Sequence, residues 1–312
     1  MKNHASQRTY SARWPRATAF ALALVPVACG GGRQAAWEST PTRPSRPPTE
    51  QEQNARQTLL AEAEAAWNDR LQEPRIREAI DKWRRATEMD PSDWETLARL
   101  SRAYYFLADG HLSFDESKVE ETKQTFELGI QAAERSLVAL SPDFAERMRA
   151  GARIEEAISV LDARAIPALY WRSTNMGKWA LLEGFATVLA HKDEVRAIMA
   201  RILEMDANFF YAAAHRYFGA LYARLPAFAG GDLERSRQHF EASLRAFPNY
   251  FPTRVLYAEY YAVKSQNRAL FTEQLQYVIN GDVNAMPEVV PENTVEQRRA
   301  RALLARADEL FE

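Results

Sequence analysis

The sequence predicts an all-α protein, a compact stack of antiparallel helical hairpins. Three observations carry that expectation. No part of the 312-residue chain shows the sustained two-residue alternation of a half-buried strand. Gly contributes only 12 residues, while Ala, Leu, Arg and Glu dominate, which favours helix over sheet. A spacing also recurs: Ala79, Trp83, Ala86 and Pro91 stand at steps of four, three and five, and so do Ser236, Phe240, Ser243 and Pro248. A small residue lets two helices approach, and the aromatic one turn on fills the groove beside it. The proline cannot continue the helix, so the chain turns there.

Residues 1–28 read as an export signal. Arg13 and Arg16 precede an apolar run, Ala17 to Ala28, broken only by Thr18 and Pro26 and too short to span a bilayer. Cys29 follows directly and is the only cysteine, so no intramolecular disulfide can form. Its place between Ala28 and Gly30 resembles a bacterial lipobox, with Pro26 where an aliphatic residue is usual. The alternative is a plain signal with an incidental cysteine. Acyl chains on Cys29 would be the means of membrane attachment, since no other segment approaches spanning length. Residues 29–54, with Pro41, Pro44, Pro47 and Pro48, predict a stiff, extended tether. The helical domain is expected over 55–312.

Within it, apolar periodicity predicts helices over Arg56–Arg70 and Pro74–Asp90, and then an opening half-repeat marked by Leu97, Leu100, Ser101 and Tyr104. ADGHLSFDES, ending at Ser117, is loop-like. Helices are expected at Lys118–Leu140 and Asp143–Leu161. Ala165–Leu189 is apolar nearly all round, so it lies in a core or against a pocket. A helix over Asp193–Asp206 leads to a repeat opened by His215, Phe218, Gly219 and Tyr222. Pro226–Asp232 forms a loop that ends on Asp232, a good N-cap. After the Ser236–Pro248 spacing, Tyr257, Ala258 and Tyr261 open a further repeat. A helix over Asn267–Asn280, an irregular loop over Gly281–Asn293 and a closing helix over Thr294–Glu312 complete eleven to thirteen helices.

Chemistry is sparse. The five histidines form no HExxH and have no cysteine partner, and GxGxxG, Walker A and GxSxG are missing. No nucleophile–base pair can be assembled, so neither an enzyme nor a bound metal or cofactor is expected. Without residues 1–28 the chain holds 36 Lys and Arg against 42 Asp and Glu, a net of −6, which speaks against a nucleic-acid partner. Three clusters invite a ligand. Trp171, Asn175 and Trp179, at i, i+4 and i+8, set an amide between two indoles, which suits either a polar-headed apolar ligand or helix packing. His215 is either a core histidine or a ligand-facing donor. Glu259 and Tyr260 point away from the face shared by Tyr257 and Tyr261, with Glu259 either a pocket carboxylate or a solvated one. Arg298, Arg299, Arg301 and Arg306 read as a solvated face, with carboxylate binding as the weaker alternative.

The four–three–five spacing resembles the closing half of a tetratricopeptide (TPR) repeat. A longer set of ordered blocks resembles the T-component family of tripartite ATP-independent periplasmic (TRAP) transporters. The blocks are PALYW at Pro167–Trp171 with Gly177, LEMD at Leu203–Asp206, and His215 with Gly219. They continue with Pro226 before Gly230, Gly231 and Asp232, and with HFEASL at His239–Leu244. VLYAEYYAV at Val255–Val263 follows, with Asn267, Arg268 and Phe271, and then RRARALLAR and DELF between Arg298 and Phe311. The resemblance implies a non-enzymatic, lipid-anchored periplasmic subunit, with a weak lean to the outer membrane because Gly30 is not the Asp that marks inner-membrane retention. It implies a homotrimer with a pore that docks the substrate-binding P-component and holds a small organic solute, apolar or carboxylate-bearing. The candidate ligand-binding set is Trp171, Asn175, Trp179, His215, Tyr222, Glu259, Tyr260 and Arg268. The rival expectation is a general TPR adaptor lipoprotein that binds a peptide or an envelope-assembly partner.

Overall fold

The computed structural model describes residues 33–38 and 46–311. The chain divides into two units, 1–34 and 35–312, and every described helix lies in the second. The described residues contain no strand. The signal segment and Cys29 lie outside the described residues, as do Pro41 and Pro44 of the expected tether.

The first hairpin is α1 (Glu50–Asn68) and α2 (Glu73–Met89). α1 starts at Glu50 rather than Ala55 because Thr49 and Glu52 form a reciprocal cap. The Thr49 hydroxyl accepts from the Glu52 amide at 3.3 Å, and the Glu52 carboxylate accepts from the Thr49 amide at 2.8 Å. Nor is the segment before it free of packing. Ala36–Glu38 make one 3₁₀ turn whose Trp37 is buried, edge-on to Phe144 at 6.1 Å, with the Arg172 guanidinium 5.1 Å from its ring. An indole buries more apolar area than a prolyl tether can offset, so it finds a groove.

α3 (Trp94–Gly110) and α4 (Val119–Leu140) form the next pair. The expected loop here is shorter, since α3 runs to Gly110 and two 3₁₀ turns, Leu112–Phe114 and Glu116–Lys118, fill the remainder. The single helix expected over Asp143–Leu161 is two, α5 (Pro142–Arg149) and α6 (Ile154–Ala157), parted at Gly151, whose φ of +82° suits glycine. Gly184, at φ +118°, likewise divides Ala165–Leu189 between α7 (Ile166–Glu183) and α8 (Phe185–Met205). α9 (Phe209–Arg224) and α10 (Leu233–Ala246) follow, the latter capped by Asp232, which accepts from the Arg235 amide at 3.0 Å. α11 (Phe251–Leu256) runs into a π-helical turn, Tyr257–Ala262. α12 (Arg268–Asn280), α13 (Val290–Ala305) and α14 (Ala307–Leu310) end the fold.

The repeat spacing does what its residue types suggest. Ala79, Trp83 and Ala86 are buried, as are Ser236, Phe240 and Ser243. Two serine hydroxyls also tie helices together. Ser101 donates to the Gly129 carbonyl and Ser236 to the Gly219 carbonyl, each at 2.7 Å. Such a bond satisfies a buried hydroxyl without widening the helix contact.

The stack does not stay open. Val295 of α13 shares a core with α1–α3. Arg70, in the α1–α2 turn, donates to the Glu288 carbonyl at 3.0 Å and pairs with Glu292 at 2.6 Å. Arg102 of α3 meets the same Glu292 at 2.9 Å. The last long helix therefore crosses back onto the first hairpins and walls one side of a hollow.

Candidate functional site

That hollow is a cavity of about 270 Å³, bordered by α3, α7, α8, α9, the start of α11, the π turn and α13. One wall is aromatic. Trp171 lies 4.7 Å from Tyr170, 4.9 Å from Phe210 and 5.5 Å from Tyr105 between ring centroids, and Tyr250 stands 5.9 Å from Phe210. Gly177 faces open space, with no atom within 4 Å of where a Cβ would be, so the smallest residue on α7 leaves room.

The other end is charged. Asp109 of α3 pairs with Lys178 of α7 at 2.6 Å and with Arg299 of α13 at 3.2 Å, and Arg299 also holds Glu296. Burial alone would raise the Asp109 carboxyl, but Arg299 and Lys178 overcome it and hold it well below the usual range. Glu296 goes the other way. Burial, reinforced by Asp109, outweighs Arg299 and pushes it up to about 7. A carboxyl that stays protonated close to neutrality leaves the lining richer in cations. Arg102, Lys178, Lys192, Arg216, Arg224 and Arg299 border the cavity against Asp109, Glu292 and Glu296.

The start of α9 carries an uncommon backbone. Phe210, Tyr211 and Ala212 have φ of 43°, 60° and 57°, a left-handed turn without glycine. Such residues cost on the order of 1–3 kcal/mol each and persist only where their surroundings fix them. Here the fixing group is Arg216, 4% exposed, which donates to the Phe210 carbonyl at 2.9 Å and to the Tyr211 carbonyl. Its guanidinium lies 4.5 Å from the Tyr250 ring. Tyr211 stacks on Tyr250 at 4.5 Å and donates its hydroxyl to Glu288 at 3.0 Å. On the far side of Phe210 is a second hollow, bordered by Arg102, Asn208, Phe210, Tyr211, Phe247 and Glu288.

The family model of TRAP transporter T-components matches residues 106–311, from within α3 to the last residue of the described fold. The chain belongs to the TRAP transporter T-component family. It is thus an accessory component of a TRAP transporter, working at the cell envelope, and no described helix is long and apolar enough to cross a membrane. Comparison with curated proteins gives no match.

The residues expected from sequence to form this T-component's ligand site scatter. Trp171 and Tyr260 border the cavity. Asn175 does not, since its amide is buried and donates to the Ser101 carbonyl and hydroxyl at 3.3 Å and to the Trp171 carbonyl at 2.7 Å. It occupies the space that Gly129 leaves by lacking a Cβ. Trp179 is outside the lining, its ring 5.7 Å from His191, which is part of it. His215 faces His239, Nδ1 to Nδ1 at 3.0 Å, and burial lowers both, bringing His239 to about 4, so this pair is a neutral packing contact at pH 7. Tyr222 stacks on Phe218 at 6.0 Å, beneath Arg235. Arg268 is exposed and pairs with Asp308. Glu259 lies outside the lining, yet its charge acts on Tyr260, Glu296 and Arg299. Sequence reasoning missed Asp109, Lys178, Phe210, Arg216 and Glu296. It took Arg299 for part of a solvated face, whereas Arg299 is partly buried and pairs with Asp109.

Tyr260 reaches the cavity through the π turn. Leu256, four residues earlier and so on the same helix face, lines the same hollow. Single π turns are frequent at functional sites.

Proposed function

We propose that the cavity holds a small amphiphilic anion, with its apolar body against Tyr170, Trp171, Phe210 and Tyr250 and its acid group toward the cations. In this reading the protein relays that solute to or from the P-component it docks, as a homotrimer held to the envelope by acyl chains on Cys29. The observation that carries the reading is the aromatic hollow with an excess of positive lining charge. Ligand pockets are typically ~300–1,000 Å³, largely apolar, with a few convergent polar groups. A peptide adaptor would instead need an extended open groove, whereas α13 packs back onto α1–α3.

The test is to mix residues 29–312 with the P-component of its TRAP transporter and weigh the products by native mass spectrometry. A defined complex, with a small anionic molecule on either protein, is the expected result. Free, unliganded proteins would dismiss both the docking and the solute.

A further inference from the structure

We propose that Phe210 is a door between the cavity and the second hollow, and that Arg216 is the latch which an anionic solute releases. This rests on the reading that the cavity takes an anionic amphiphile, and it assigns that solute's charge a task besides binding.

Phe210 and Arg102 are the two residues that border both hollows, so the partition is one side chain thick. Arg102 is fixed by its pair with Glu292. The Phe210 ring makes aromatic contacts, and its position depends on the left-handed turn beneath it. Any return of that turn to right-handed geometry moves the ring. What opposes the return is Arg216, whose two donated bonds go to the carbonyls of Phe210 and Tyr211.

Arg216 is also open to capture. It borders the cavity, and among the described residues no carboxylate lies within ion-pair distance of it. Its neighbours are two peptide carbonyls, the Tyr250 and Phe210 rings and the Tyr170 hydroxyl, all neutral. A carboxylate offers the guanidinium shorter, charge-assisted bonds in a matching planar geometry. An acid entering the cavity therefore draws Arg216 off the turn, and the strain stored at Phe210, Tyr211 and Ala212 drives the door. An uncharged molecule of the same shape fills the cavity and leaves the latch in place. Linkage makes the effect reciprocal: the open door must favour the acid by the factor with which the acid favours opening.

The test uses residues 29–312 and two probes with one alkyl chain, decanoate and 1-decanol. Calorimetry establishes binding, and hydrogen exchange follows the Ala212 amide, which donates to the Asn208 carbonyl at 3.2 Å across the turn. Decanoate is expected to speed that exchange about tenfold and decanol to leave it unchanged. Arg216→Gln should exchange fast with no probe, indifferent to decanoate. Phe210→Ala, which keeps the latch, should take up decanoate faster in stopped-flow tryptophan fluorescence. Bound decanoate with unchanged or slower Ala212 exchange overturns the latch and leaves the solute reading standing, and so does an equal acceleration by decanol. If neither probe binds, the solute reading falls and the latch with it.

Discussion

Gly129 and Gly219 meet filled space, while Gly177 meets empty space. A Cβ on Gly129 would stand 2.5 Å from the Asn175 amide oxygen, and one on Gly219 would stand 2.7 Å from the Phe240 ring. A Cβ on Gly177 would touch nothing. The same residue type thus serves two ends. In the paired helices it removes volume so that a partner's side chain fits, and on α7 it removes volume so that nothing of the protein's own fits. A small residue in a helical repeat therefore does not by itself announce close packing.

Substitutions can break that comparison. Gly129→Ala should have the largest effect, a loss of about 3 kcal/mol by chemical denaturation, because the displaced Asn175 amide also loses its bonds to Ser101 and Trp171. Gly219→Ala should lose about 2 kcal/mol, since the Phe240 ring is fully buried and has nowhere to move. A midpoint unchanged in either variant would show that the helices can part without penalty. Glu296→Gln sharpens the hollow side of the contrast. A buried carboxyl raised from 4.5 to about 7 binds more protons folded than unfolded between those values, so stability falls as pH rises across that window. The variant, which does not titrate there, should match the parent at pH 4 and exceed it by about 3 kcal/mol at pH 8. Equal stability at both pH values would place that carboxyl in water. Gly177→Leu should change stability least, by under about 1 kcal/mol and upward if at all, as leucine is the better helix former. It should nonetheless abolish decanoate binding in calorimetry, because its side chain would occupy the cavity. Binding that survives would move the solute elsewhere.

The contrast also marks what the sequence could disclose. Helices and their pairing were legible because the core is periodic: small, aromatic and small residues at fixed steps describe one face of one helix. The charged end of the cavity has no such local signature. Asp109 sits where the sequence reads as loop, Lys178 in a segment chosen for its indoles, and Arg299 among arginines that look solvated. Helices far apart in the chain bring them together, so no window of sequence contains them. Trp171, Asn175 and Trp179 do share a helix face as expected. That face meets α3 and α4 at Asn175, because Gly129 opens a niche there. Phe210 and Arg216 were hidden for another reason: aromatic residues rarely take positive φ, and nothing in NFFYAAAHR predicts that three consecutive residues will.

The return of α13 onto α1–α3 has a consequence for how the chain comes to exist. Residues about two hundred positions apart meet in the Arg70–Glu292 and Asp109–Arg299 pairs. A repeat array stabilised by nearest neighbours can grow hairpin by hairpin, and lengthening it only adds to what already stands. Here the early hairpins have one flank bare until α13, about two hundred residues further along the chain, packs onto them. The hollow is therefore incomplete in any version of the chain that stops before α13. The arrival of α13, rather than any single repeat, brings it into being, and a subunit truncated before Arg299 would lack the charged end of the hollow.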